Sequence, residues 1–237
     1  DTWKSRGLGD VYKRQVNHNL NPRLFSEQLI YIINHAHDKI LILDLDLVPI
    51  IEKVIDECPN VEKLIILCSQ ADLPSTKFSN VISYEELLAT GSENFQWVSG
   101  EETDACGICY TSGTTGNPKG VVYTHRSNTL HALTQAAPDM LNLSSTDTIM
   151  PVVPLFHANG WSIAYTAPLV GSSIVFPGGD LSPSSLYNML ERGVTITAAV
   201  PTVWLLLLNF LESTQKELSS LKRVVIGGSS CPRSVIE

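Results

Sequence analysis

The chain has 237 residues, enough to bury a sizeable core as one large α/β domain or as two smaller ones. Lys and Arg number 16 against 24 Asp and Glu, and the net charge of -8 has the wrong sign for a protein whose main partner is a nucleic-acid backbone. With 43% hydrophobic and 17% charged residues and no low-complexity tract, the composition is that of a globular chain that folds in water.

The five cysteines, Cys58, Cys68, Cys106, Cys109 and Cys231, are odd in number and scattered. They do not read as a disulfide framework in a chain this long, and a reducing cytoplasm fits best. No charged-then-apolar leader is visible, and the strongest apolar stretch, residues 198–211, is broken by Pro201, Thr202 and Asn209. It is too short to span a bilayer, which leaves at most peripheral membrane contact. The sequon at Asn142 would matter only in a secreted protein.

Residues 1–15 show no clean period and mix Gly with unpaired basic residues, so they are read as non-native sequence similar to adaptor-derived gene ends. Patterned sequence starts near Asn17. From Lys39, KILILD predicts a buried strand, VPIIEKVIDE a helix, KLIILC a strand and SYEELLAT a short helix. A polar stretch over residues 89–104 is the best candidate boundary, read as a connection inside one large domain. GICYT then predicts a strand before a Gly-rich loop, and residues 126–140 a helix. TIMPVV and SSIVF predict strands, and SPSSLYNMLERG predicts a helix stopped by Gly193. TITAAV, a helix from Pro201 to about Glu212, and KRVVIGG complete the series. Short β-branched runs alternating with helices predict the α/β class, with mostly parallel sheets flanked by helices, because parallel strands need crossover connections and bury both faces.

The decisive segment is YTSGTTGNPKG, residues 110–120, placed between the strand GICY and the β-branched Val121 and Val122. Gly113, Gly116 and Gly120 allow backbone conformations that turn successive N–H groups toward an anion. Thr111, Ser112, Thr114 and Thr115 add hydroxyl donors, and Lys119 adds a mobile positive charge. It is not a Walker A loop, because Lys119 follows Pro118 and precedes Gly120 rather than sitting in Gly-Lys-Ser/Thr.

This segment resembles the phosphate-binding signature of the adenylate-forming superfamily, which includes acyl-CoA synthetases, luciferases and peptide-synthetase adenylation domains. The resemblance implies that Thr111, Ser112, Gly113, Thr114, Thr115, Gly116 and Lys119 wrap the β- and γ-phosphates of ATP, with Thr111 beside Mg2+. VPLFHANGWSIAYTAPLVGSSIVFPG, residues 153–178, resembles the next family segment in its medium- and long-chain fatty acyl-CoA synthetase form. It implies that His157 stands near the reacting carboxylate and that Trp161 is a tunnel wall or gate. RVVIGGSSCPRS resembles the strand and turn that pack on adenine, through Gly227, Gly228 and Ser229. The Leu-rich residues 194–212 also resemble the fatty acyl branch, although a Leu-rich helix is ordinarily core.

The resemblance covers about residues 16–237, a partial N-terminal AMP-binding domain without the C-terminal lid and without the family's magnesium-holding Glu and ribose-gripping Asp. The expected reaction of the parent enzyme turns fatty acid and ATP into acyl-adenylate and then, with coenzyme A, into acyl-CoA. Lys119 and His157 are the expected catalytic residues, and the parent is compatible with a homodimer. The fragment alone is expected to turn over negligibly. The alternatives are an adenylation domain for an amino or aryl acid and a non-catalytic nucleotide- or acyl-binding module. Cys106 and Cys109 have no second Cys/His pair at ligand spacing and read as strand residues, while His35 and His37 read as solvated.

Overall fold

The computed structural model describes residues 15–92, 94, 99–111 and 116–236. The chain divides into two units, Asp1–His125 and Arg126–Glu237. The division therefore falls between His125 and Arg126 and not in the polar stretch 89–104.

In the first unit, β1 (Asn17–His18) is followed by α1 (Ser26–Ala36), β2 (Ile40–Asp44), α2 (Val48–Val54), β3 (Lys63–Leu67), β4 (Val81–Ser83) and α3 (Tyr84–Ala89). α1 buries Leu29, Ile32 and Ile33, the three-and-four spacing of one helical face, and ends at His37 in the left-handed conformation with φ 56°. Ser83 caps α3 by accepting a hydrogen bond from the Glu86 N–H at 3.2 Å. β2, β3 and β4 form a parallel sheet with Leu41 opposite Leu64 and Leu64 opposite Val81. Its core joins Ile33, Leu41, Leu43, Ile51, Val54 and Leu64.

A second three-stranded sheet carries the Gly-rich loop. β5 (Ala105–Thr111) lies parallel to β1 on one side and antiparallel to β6 (Lys119–Thr124) on the other. The β-branched residues after the loop thus turn back as a hairpin, because the connection is too short for the crossover a parallel pair requires. Cys106 and Cys109 are both residues of β5, and their thiols are not joined as a disulfide.

The second unit opens with α4 (His125–Ala136) and continues through β7 (Thr148–Pro151), α5 (Ala158–Trp161), α6 (Ile163–Val170), β8 (Ser173–Ile174), α7 (Pro183–Leu190), β9 (Ile196–Ala199), α8 (Pro201–Thr214), β10 (Arg223–Ile226) and α9 (Arg233–Ile236). Its four strands are all parallel, in the order β10-β9-β7-β8. β9 is buried along its whole length, as a central parallel strand must be. Ile149, Ile196 and Ala198 face Ile163 and Ala167 of α6. Met150 and Ala199 pack against Leu186 and Leu190 of α7 and Trp204 and Leu207 of α8. The Leu-rich helix is therefore core on one face and exposes Leu205 and Leu206 on another.

At the N-terminal edge of this sheet, Asp147 accepts hydrogen bonds from Thr195 Oγ1 and Arg223 Nη2, both at 2.8 Å. Burial alone would raise the Asp147 carboxyl, but the bonds from Thr195, Arg223 and Ser144 hold it below the usual carboxylate range. Among the described residues, no helix is long and apolar enough to cross a membrane.

Candidate functional site

The β5–β6 hairpin sets the mouth of the Gly-rich loop. Thr111 stands directly opposite Lys119, and Tyr110 opposite Gly120. Thr111 and Lys119 are both exposed, and the Thr111 hydroxyl donates to the Lys119 carbonyl in a long 3.5 Å contact. Gly116 adopts φ 94°, a backbone open to glycine and costly for other residues. Ser112, Gly113, Thr114 and Thr115 lie outside the described residues.

The base of the hairpin is fixed by packing that only a glycine permits. A Cβ at Gly120 would stand 2.9 Å from Ile108 Cδ1 and 3.1 Å from Tyr110 Cζ, so the Tyr110 ring lies across the Gly120 backbone. Tyr110 Oη is 2.6 Å from His35 Nδ1 of α1, and its ring centroid is 5.1 Å from that of His18. His18 Nδ1 is in turn 2.9 Å from Asp38 Oδ1. Burial first, and then the Asp38 charge, push the Tyr110 phenol up to about 12, so it stays protonated. Thus His35, although exposed as its sequence position predicts, is also a partner of the residue that opens the loop. His37 is exposed at the end of α1.

In the second unit, the family-like segments leave the same edge of a parallel sheet. The chain runs from the C-terminal end of β7 to His157, and from the C-terminal end of β10 to Gly227, Gly228 and Ser229. In open parallel sheets this is the edge outside which ligands bind. A Cβ on Gly227 would lie 2.8 Å from Trp161 Cη2, so the structure brings the predicted acyl-side indole against the predicted adenine-side backbone. Gly228 has φ 85°, and a Cβ there would meet Val200 Cγ1 at 3.0 Å.

The segment between His157 and Trp161 is a turn of the opposite hand to an ordinary helix. Ala158, Asn159, Trp161 and Ser162 have φ of 47°, 52°, 56° and 56°, and Gly160 has 61°. Left-handed backbone costs about 1–2 kcal/mol at each residue with a side chain, so four among these five consecutive residues need support. Gly160 N–H donates to the His157 carbonyl at 3.0 Å and Ser162 N–H to the Asn159 carbonyl at 3.1 Å. Gln135 Nε2 of α4 donates to the Trp161 carbonyl at 2.6 Å, and Thr166 Oγ1 donates to Gln135 Oε1 at 2.6 Å. His157 is exposed at the entry to the turn, whereas Asn159 and Gly160 are buried.

The model of the family described as AMP-binding enzyme matches residues 15–237. The chain belongs to the AMP-binding enzyme family. A medium-chain-fatty-acid–CoA ligase of Ectopseudomonas oleovorans is 46% identical over 93% of this chain and 41% of its own length. A long-chain-fatty-acid–CoA ligase of Thermus thermophilus is 45% identical over 97% of this chain and 40% of its own. Among solved structures, a long-chain-fatty-acid–CoA ligase from Archaeoglobus fulgidus superposes with a TM-score of 0.77 at 28% identity, over 92% of this chain and 41% of that one. The chain therefore spans about 40% of the length of these relatives.

Thr111, Gly116, Lys119, His157, Trp161 and Gly227 to Ser229, the residues that linear motifs point to, all lie among the described residues, and the structure adds the contacts around them. Sequence reasoning missed the Tyr110–His35 pair, the Gln135–Trp161–Thr166 support and the buried Asn159. The Asn-Gly dipeptide at residues 159–160 is the one local signal for the left-handed turn, since both residue types tolerate that backbone.

Proposed function

We propose that the protein containing this chain activates a fatty acid with ATP and passes it to coenzyme A. A carboxylate oxygen attacks the α-phosphorus and pyrophosphate leaves. The CoA sulfur then attacks the acyl carbon, AMP leaves and the thiol proton passes to solvent. The observation that carries the reading is the hairpin mouth, where the Lys119 ammonium and the Thr111 hydroxyl stand opposite each other and exposed. The 46% and 45% identities to fatty acid–CoA ligases support the acid class.

Two like charges 4 Å apart repel by about 1 kcal/mol in water and about 4 kcal/mol near a protein surface, so a carboxylate cannot approach a triphosphate without screening. Lys119 and the donors of Thr111, Ser112, Gly113, Thr114, Thr115 and Gly116 are assigned to that screening. The Thr111 hydroxyl suits Mg2+ as a neutral oxygen ligand, and the ion would add charge neutralisation at the phosphates. Among the described residues no three His, Cys, Asp or Glu side chains stand together to hold a metal. Gly227, Gly228 and Ser229 are assigned to adenine, His157 to the carboxylate end and Trp161 to the wall between acid and nucleotide. A cytoplasmic setting belongs to the same reading, supported by five cysteines of which none is joined in a disulfide.

The test is pyrophosphate and AMP release by the full-length protein, with CoA, on a panel of fatty acids of rising length set against amino and aryl acids. Release with fatty acids is expected. Release only with amino or aryl acids would replace the acid class, and ATP binding without any release would make the protein a binding module.

A further inference from the structure

Several buried polar side chains in the second unit have hydrogen-bond partners, although the Trp204 indole nitrogen has none among the described residues. Thr197 Oγ1 donates to the Met150 carbonyl at 2.8 Å, Ser172 Oγ to the Asp147 carbonyl at 2.9 Å, and Thr166 and Gln135 bond to each other. Asn159 departs from this. It is 2% exposed, yet among the described residues neither its Oδ1 nor its Nδ2 has a hydrogen-bond partner. A buried carboxamide with nothing to bond calls for an explanation, and a ligand that completes it is one.

Its position says which ligand. Asn159 sits in the left-handed turn, two residues from His157 and two from Trp161, whose indole covers Gly227. The Trp161 carbonyl is held from outside by Gln135, so the turn that carries the amide is braced at its far end. An apolar tail gains nothing from a carboxamide, whereas Nδ2 offers two hydrogens suited to an anionic oxygen. We propose that Asn159 binds substrate directly, its Nδ2 donating to the carboxylate of the acid and, after adenylation, to the acyl carbonyl oxygen. This rests on the acid-activating function proposed above and assigns a further residue to that same site.

The test uses the full-length protein and two variants. Asn159→Gly removes the amide and relaxes the left-handed backbone at once. Asn159→Asp keeps the volume and replaces the donor by a carboxylate that repels the acid. ATP–pyrophosphate exchange gives kcat and KM for acid and ATP, and thermal melting monitors the fold. Expected are a Gly variant that melts no lower than the parent, a fall of about tenfold to hundredfold in kcat/KM for the acid in both variants, and an unchanged KM for ATP. Because the contact is at the carboxylate end, the loss should be the same for short and long acids.

A Gly variant within twofold of the parent in kcat/KM would overturn the proposal. So would a loss confined to KM for ATP, a loss that grows with acid chain length, or a Gly variant that melts lower or fails to fold, which would make the amide structural. The acid used is whichever one the parent activates, since every candidate acid carries the carboxylate. The choice of acid class therefore fails or stands on the parent alone, and Asn159 on its variants.

Discussion

The β5–β6 hairpin and the left-handed turn between His157 and Trp161 differ in where their information is stored. In the hairpin, each group assigned to phosphate lies within residues 110–120, with Thr111 paired to Lys119 and the base packed through Tyr110. In the turn, the residues proposed to meet the acid hold a costly left-handed backbone. Four side-chain-bearing residues take the left-handed conformation, and the support comes from Gln135 and Thr166 on α4 and α6. A site written in one stretch of chain tolerates a weakened scaffold. A site held from a distance does not separate from fold stability.

Variants can break that contrast. The largest effect is expected for Lys119→Ala in the full-length protein, where removing the exposed ammonium should slow adenylate formation by about a hundredfold while leaving the melting temperature unchanged. Unchanged ATP–pyrophosphate exchange would remove Lys119 from the reaction.

The turn should answer differently. Gln135→Leu strips the Trp161 carbonyl and the Thr166 hydroxyl of their buried partner, at about 1–3 kcal/mol in urea unfolding, and should also raise KM for the acid. A stable variant with raised KM, or an unstable one with normal KM, would show that holding and working are separable there after all. The smallest effect belongs to Tyr110→Phe. It loses only the His35 bond at the hairpin base, about 0.5–1.5 kcal/mol, and should raise KM for ATP about threefold without altering KM for the acid.

The same contrast explains what the sequence revealed. The apolar runs KLIILC and TITAAV became the central strands β3 and β9, whereas KILILD, expected to be buried, became the edge strand β2 and exposes Ile42. The α/β class and the parallel sheets followed from their alternation with helices. β6 was less legible, since Val121 and Val122 are exposed and the strand is defined by its partner β5 rather than by its own pattern. β1 and β8 are two residues each, too short to carry any period. At the site, Lys119 and Gly227 belong to recognisable strings. Gln135 looks like any polar helical residue, and Asn159 like half of a turn-forming Asn-Gly pair. Their importance lies in residues 26 positions apart, or in a partner that is missing, and neither has a linear signature.

The Asp147 carboxylate ties the starts of β7, β9 and β10 together through Thr195 and Arg223, on the edge opposite the one from which His157 and Gly227 emerge. Its carboxyl is held below the ordinary value of 3.8, so the stability it lends is complete above that pH and drains away only as acidity carries the group down through its lower folded value. One proton arriving there would unlatch three strand beginnings at once. Mild acid therefore leaves the latch closed, and a decline in turnover above the ordinary carboxylate range has a source other than Asp147.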